Sequence, residues 1–102
     1  MDKVKKLMLS VDDELSDAMM YATRAEAWHN AGHHEAASMF ANMAKAELEH
    51  AAGNERVMGM VGDKYKEGHP EKHMAIEMLR DVTKERIENV REELHEIFER
   101  MR

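Results

Sequence analysis

The chain has no cysteine, one proline and five glycines in 102 residues. Without a thiol there is no disulfide, no thiolate metal site, no iron–sulfur ligation and no CxxC redox pair, so any bound metal must be held by carboxylate and imidazole. Strand signals, internal repeats and low-complexity tracts are also missing. The opening "MDKVKKLMLS" is basic, but its apolar run is too short for the core of a signal peptide and acids follow at once in "VDDE". A cytoplasmic location is therefore expected. A formal net charge of −6 argues against nucleic acid and favours cationic ligands. Neither a nucleic acid nor a membrane is expected as partner.

What is present is alanine, methionine, glutamate and lysine in abundance, the composition of an all-α protein. Apolar residues at Val4, Leu7, Val11, Leu15, Ala18, Ala22, Ala25 and Trp28 recur at three and four and predict a helix from about Lys3 to Ala31. "NAG" ends it, with Gly32 as a left-handed residue after the last turn. A second helix is expected from about His34 to Val61, its stripe passing through Phe40, Met43, Glu47, Ala51 and Val57/Met58, with Gly53, Gly59 and Gly62 weakening its far end. "GDKYKEGHP" reads as a loop, and Pro70 suits the first turn of a third helix reaching Met101. Its inward residues are expected to be Ile76, Leu79, Ile87, Val90, Leu94, Ile97 and Met101. The whole, residues 1–102, is one domain: an antiparallel helical hairpin followed by one long helix, of a size that assembly into an oligomer would stabilise considerably.

A glutamate three residues before a histidine shares its helical face, so the two side chains can converge on one ion. Three such pairs occur: Glu26/His29, Glu47/His50 and Glu92/His95. Roughly one is expected by chance, so placement must separate them. Glu92 and His95 flank the apolar line of the third helix and read as a solvated face. Glu26/His29 lies at a stripe edge near the turn. Glu47 stands within its expected stripe with His50 at the border, and Glu14, three after Val11 and four before Ala18, also points inward. In an antiparallel hairpin Glu14 and His50 each lie about 27 Å from the turn, so Glu14, Glu47 and His50 can meet. Carboxylates buried together need compensation. Either a divalent cation supplies it, or a lysine or arginine reaches in from the third helix to form an ion-pair network. The eleven methionines read as core filler, and His33 and His34 as a solvated turn.

These residues also carry a resemblance. Glu14 in "DDELSDAMMY", Tyr21 seven later, Gly32 at the turn, Phe40, and Glu47/His50 seven beyond it in "AELEHA" follow in order and spacing the pattern of the rubrerythrin branch of the ferritin-like superfamily. The likeness spans roughly Val11 to Glu55. It implies a carboxylate-bridged diiron site with Glu14, Glu47 and His50 as iron ligands and Tyr21 beside them in the catalytic centre. It further implies oxidation of Fe(II) by dioxygen or peroxide. Rubrerythrins carry a cysteine-bound module that delivers electrons; this chain has none, so peroxide reduction would require an external donor. The third helix shows no second ligand set in register. The resemblance to encapsulated ferritins, which complete a ferroxidase centre between subunits, implies a homodimer or higher homo-oligomer whose two hairpins form a four-helix bundle. An encapsulating shell is a possible partner, although no shell-targeting tail is evident. The reading from a different class is a helical interaction module that uses the same residues for polar packing only, and a third is the same site holding zinc or manganese without redox turnover.

Overall fold

The first helix stops where the backbone demands glycine. Gly32 takes φ +85°, the left-handed region. Its N–H donates to His29 O and the next N–H, of His33, donates to Trp28 O, which satisfies the last carbonyls of the helix in a Schellman arrangement. In the computed structural model, which describes Met1–Arg102, three helices result: α1 (Asp2–Asn30), α2 (His34–Asp63) and α3 (Pro70–Arg100). Pro70 opens α3, where its missing N–H costs no hydrogen bond.

Each helix buries a seven-residue repeat. In α1 the buried residues Val4, Val11, Ala18 and Ala25 are seven apart, with Leu15 and Ala22 between them. In α2 they are Ala37, Ala44, Ala51 and Met58, interleaved with Leu48, Glu55 and Gly62. In α3 Ile76, Thr83 and Ile97 fall on one seven-residue line, with half-buried Val90 between the last two, and Ile87 and Leu94 on a second. Such a repeat keeps one seam facing its neighbours along the full length when the helices supercoil gently to the left. Two ion pairs show how α3 lies: Arg86 reaches Asp12 and Arg100 reaches Glu26, both across 74 residues of sequence. The helices α1 and α3 are therefore parallel and stay in register over two heptads, and α2 runs antiparallel to both.

The seam of α2 differs from the expected one. Ala51 and Met58 are buried as anticipated, but Phe40 and Glu47 are half-buried and Met43 and Val57 exposed, while Ala37, Ala44, Leu48, Glu55, Gly59 and Gly62 take the interior. The buried face is rotated by roughly 70°, less than one residue's turn, so that Ala51 and Met58 lie on both faces. Close approach of α1 and α2 is the cause. Ala18, Ala22 and Ala25 meet a seam containing Ala44 and Ala51, all with no exposed surface, and only small side chains permit this. Larger apolar residues are displaced to the flanks, Trp28 of α1 among them at 42% exposure. Ala44→Leu should accordingly cost about 1–3 kcal/mol in thermal or denaturant unfolding by overpacking. Ala46→Leu, two residues along and exposed, should stay within about 0.5 kcal/mol. Equal costs at both positions would show the seam to be misplaced.

The glycines near the end of α2 do not end it; the helix continues to Asp63. Gly59 and Gly62 are buried because α3 passes over them: a Cβ at Gly62 would stand 3.0 Å from Ile76 Cγ2, and one at Gly59 2.6 Å from Arg80 Cζ. The Cα trace measures 57 × 18 × 14 Å, and only 19 of 102 residues are buried, so one chain leaves much of its apolar surface uncovered. No helix is long and apolar enough to cross a membrane.

Candidate metal centre

Residues two apart on a helix point to nearly opposite sides, about 200° round the axis. On α1, Asp12 and Glu26 reach α3. Glu14 and Trp28, two residues on from each, therefore point away from it. On α2, Lys45 lies over the Phe98 ring of α3, and Glu47 lies two residues on. The hairpin thus has a second face, turned away from α3 and lined by two seven-residue ladders. One runs through Leu7, Glu14, Tyr21 and Trp28; the other runs through Phe40, Glu47, Asn54 and Val61, the last of which also lines a cavity with Ile76 and Lys72 of α3. All but the exposed Trp28 are half-buried.

This face carries every residue of the expected centre. Glu14 is not inside the core but at its edge, where Asn54 Nδ2 donates to its Oε1 at 2.6 Å. His50 Nδ1 donates to Glu47 Oε1 at 3.0 Å; the carboxylate only accepts, so Nδ1 carries the hydrogen. Two ligand atoms each about 2.1 Å from a metal and at right angles stand about 3.0 Å apart, so a cation replacing that hydrogen needs little rearrangement of the pair. His50 is otherwise solvent-exposed, with 61% of its side chain accessible against 20% for Glu47. The Tyr21 and Phe40 rings stack across the hairpin at 6.4 Å with 26° between planes. Within one chain, however, Glu14, Glu47 and His50 do not gather about one point. Glu14 is engaged with Asn54 and Glu47 with His50, and no buried side-chain N or O atom lacks a partner.

The other two Glu-x-x-His pairs are occupied differently. Glu26 receives Arg100 Nε at 2.6 Å, and that hydrogen bond holds its carboxyl below the ordinary carboxylate range and the guanidinium of Arg100 above its own. His29 turns instead to His34, their Nδ1 atoms 3.2 Å apart. Glu92 and His95 are exposed, as expected, and His95 comes only to 3.9 Å of Glu99.

An arginine and a lysine do reach in from α3, but toward a residue the apolar spacing does not single out. Glu55, 6% exposed, accepts from Arg80 Nε at 2.8 Å and has Lys84 Nζ at 3.8 Å. Arg80 also bonds Glu77. Burial works against the Arg80 charge, but its hydrogen bonds to Glu55 and Glu77 outweigh it and raise the guanidinium pKa. A seven-residue count from Leu48 would have placed Glu55 in the core. A further cluster was not foreseen: carboxylate oxygens of Asp63 and Glu77 and a ring nitrogen of His73 lie within 4.8 Å of one another. His73 and Glu77 share one face of α3 at a four-residue spacing, but Asp63 comes to them from α2 across the loop, which no single-helix spacing reveals.

Comparison with protein-family models, with curated proteins and with solved structures yields no match to this chain. The ferritin-like resemblance accordingly stands on Glu14, Tyr21, Gly32, Phe40, Glu47 and His50 and on the face that five of them share.

Proposed function

We propose that the chain is a ferritin-like diiron protein that binds and oxidises Fe(II) at a site shared between two subunits. The observation that supports this most is the position of Glu14, Glu47 and His50 on the one hairpin face that α3 leaves uncovered, amid half-buried Leu7, Tyr21, Phe40 and Val61. Two such faces packed about a twofold axis make a four-helix bundle with two copies of each ligand at its centre. Met43 and Val57, about 40% exposed in the single chain, flank that face on α2.

The donor set fits iron. Hard carboxylate oxygens favour the ferric ion, and imidazole holds the ferrous one. A bound ferrous pair would supply electrons to dioxygen or peroxide. Glu47 and His50 of α2 would hold it from adjacent turns, Glu14 of α1 would exchange its bond to Asn54 for the metal, and the Tyr21–Phe40 stack would wall the site on the turn side. The reading as an interaction module without metal is favoured by one observation, the mutual satisfaction of Glu14 with Asn54 and of Glu47 with His50.

Metal analysis separates the two. About one iron per chain is expected for a shared pair. Glu47→Ala or His50→Ala should lower the iron bound by about one per chain, whereas Glu92→Ala or His95→Ala should leave it unchanged. Equal loss from both pairs, or no uptake by the unaltered chain with unchanged helicity, would sink the proposal in favour of the interaction module.

A further inference from the structure

At the far end of the hairpin α2 finishes on an acid. Asp63 sits in its last turn, where the carbonyl ends of the helix already carry partial negative charge, and that turn holds no basic residue to offset it. Glu77 of α3 is brought beside it because Gly62 lets Ile76 pack directly on the α2 backbone. Two carboxylates thus converge at the negative end of a helix. One of them, Glu77, is shared with Arg80, whose guanidinium is itself divided with Glu55.

His73 stands one turn before Glu77 on the same face of α3. Its Nδ1 lies 3.0 Å from Gly62 O, and since a carbonyl only accepts, Nδ1 is the donor. That bond fixes the tautomer and leaves the Nε2 lone pair free, the arrangement in which a ligating histidine is held by a backbone carbonyl behind it. The cluster therefore combines an imidazole of fixed tautomer with two carboxylates, one of them also held by Arg80.

We infer that Asp63, His73 and Glu77 form a second metal site that takes one first-row divalent transition ion, zinc or cobalt in class, within a single chain. Imidazole selects such ions over magnesium and calcium, which prefer oxygen alone. Three protein ligands leave positions for water, and the ion ties the last turn of α2 to the first two turns of α3 across the intervening loop. The site stands about 24 Å along α2 from Glu47. It requires neither the dimer nor the shared iron centre.

The test is cobalt(II) titration of Glu47→Ala/His50→Ala protein, which lacks the proposed iron ligands, followed by visible absorption and equilibrium dialysis. One Co(II) per chain is expected, independent of protein concentration. Asp63→Asn in that background, an exposed and nearly isosteric change, should weaken binding at least tenfold, and His73→Ala should do the same. Zinc should raise the melting temperature of the parent and not that of the Asp63→Asn protein. Because His73→Ala also removes the bond to Gly62, Asp63→Asn decides the matter if that variant folds poorly. Unchanged Co(II) affinity in Asp63→Asn protein, or no binding by the parent, overturns the inference; magnesium bound as tightly as zinc overturns the assignment of ion class.

Discussion

Dilution through the range in which dimers separate should reduce iron oxidation per chain to background while circular dichroism still reports a helical protein. One chain brings two carboxylates and one imidazole to the open hairpin face, too few to bridge and charge-balance two irons that change oxidation state. Two chains bring twice that number. The loss of activity is not expected to follow from unfolding, because the seams of α1, α2 and α3 are buried within one chain and owe nothing to a partner. Sedimentation at each concentration supplies the fraction of dimer, and activity should track it. A demonstrably monomeric form that binds two irons and oxidises them at the full rate would refute the shared centre.

Arg80→Ala should be among the most destabilising single changes in the chain, by about 2–3 kcal/mol. Glu55 is 6% exposed and lies in the seam of α2; removing Arg80 leaves it with only Lys84 at 3.8 Å. Breaking a fully buried pair costs about 3–5 kcal/mol, and the figure here is lowered because the Arg80 side chain is one-fifth accessible and water can enter behind it. For a domain of this size the melting temperature should fall by roughly 10–20 °C. The double variant Glu55→Met/Arg80→Met should recover most of the loss, since two apolar chains of similar volume leave no charge stranded. If the double variant is no more stable than Arg80→Ala, the cost comes from lost packing of the guanidinium over Gly59 and not from an unpaired carboxylate.

The two experiments probe different consequences of close helix packing. Close approach of α1 to α2 pushes Glu14 and Glu47 to the edge of the hairpin, where a second chain can cover them. Close approach of α3 to α2, over Gly59 and Gly62, carries Arg80 to Glu55 and His73 to Asp63.

Much of this was settled by the sequence. The three helices, the left-handed Gly32 between the first two, Pro70 at the start of the third and most of the inward residues of α1 and α3 follow from periodicity and local backbone chemistry, which act over a few residues. In those two helices Val, Leu and Ile stand against polar neighbours, so the apolar face is unambiguous. The grouping of Glu14, Tyr21, Phe40 and Glu47 on one side was also legible, since a seven-residue spacing returns to nearly the same direction on any helix. Only the tertiary structure decided which face of α2 is innermost. Alanine occurs on several of its sides, and hydropathy rewards burial of Met43 and Val57 more than of Ala44 or Gly62. Hydropathy measures what a side chain gains on leaving water, but the closest approach of two helices is limited by side-chain size. The smallest residues therefore take the seam, the larger ones its flanks, and Glu55 enters the core because α3 carries the charge that neutralises it.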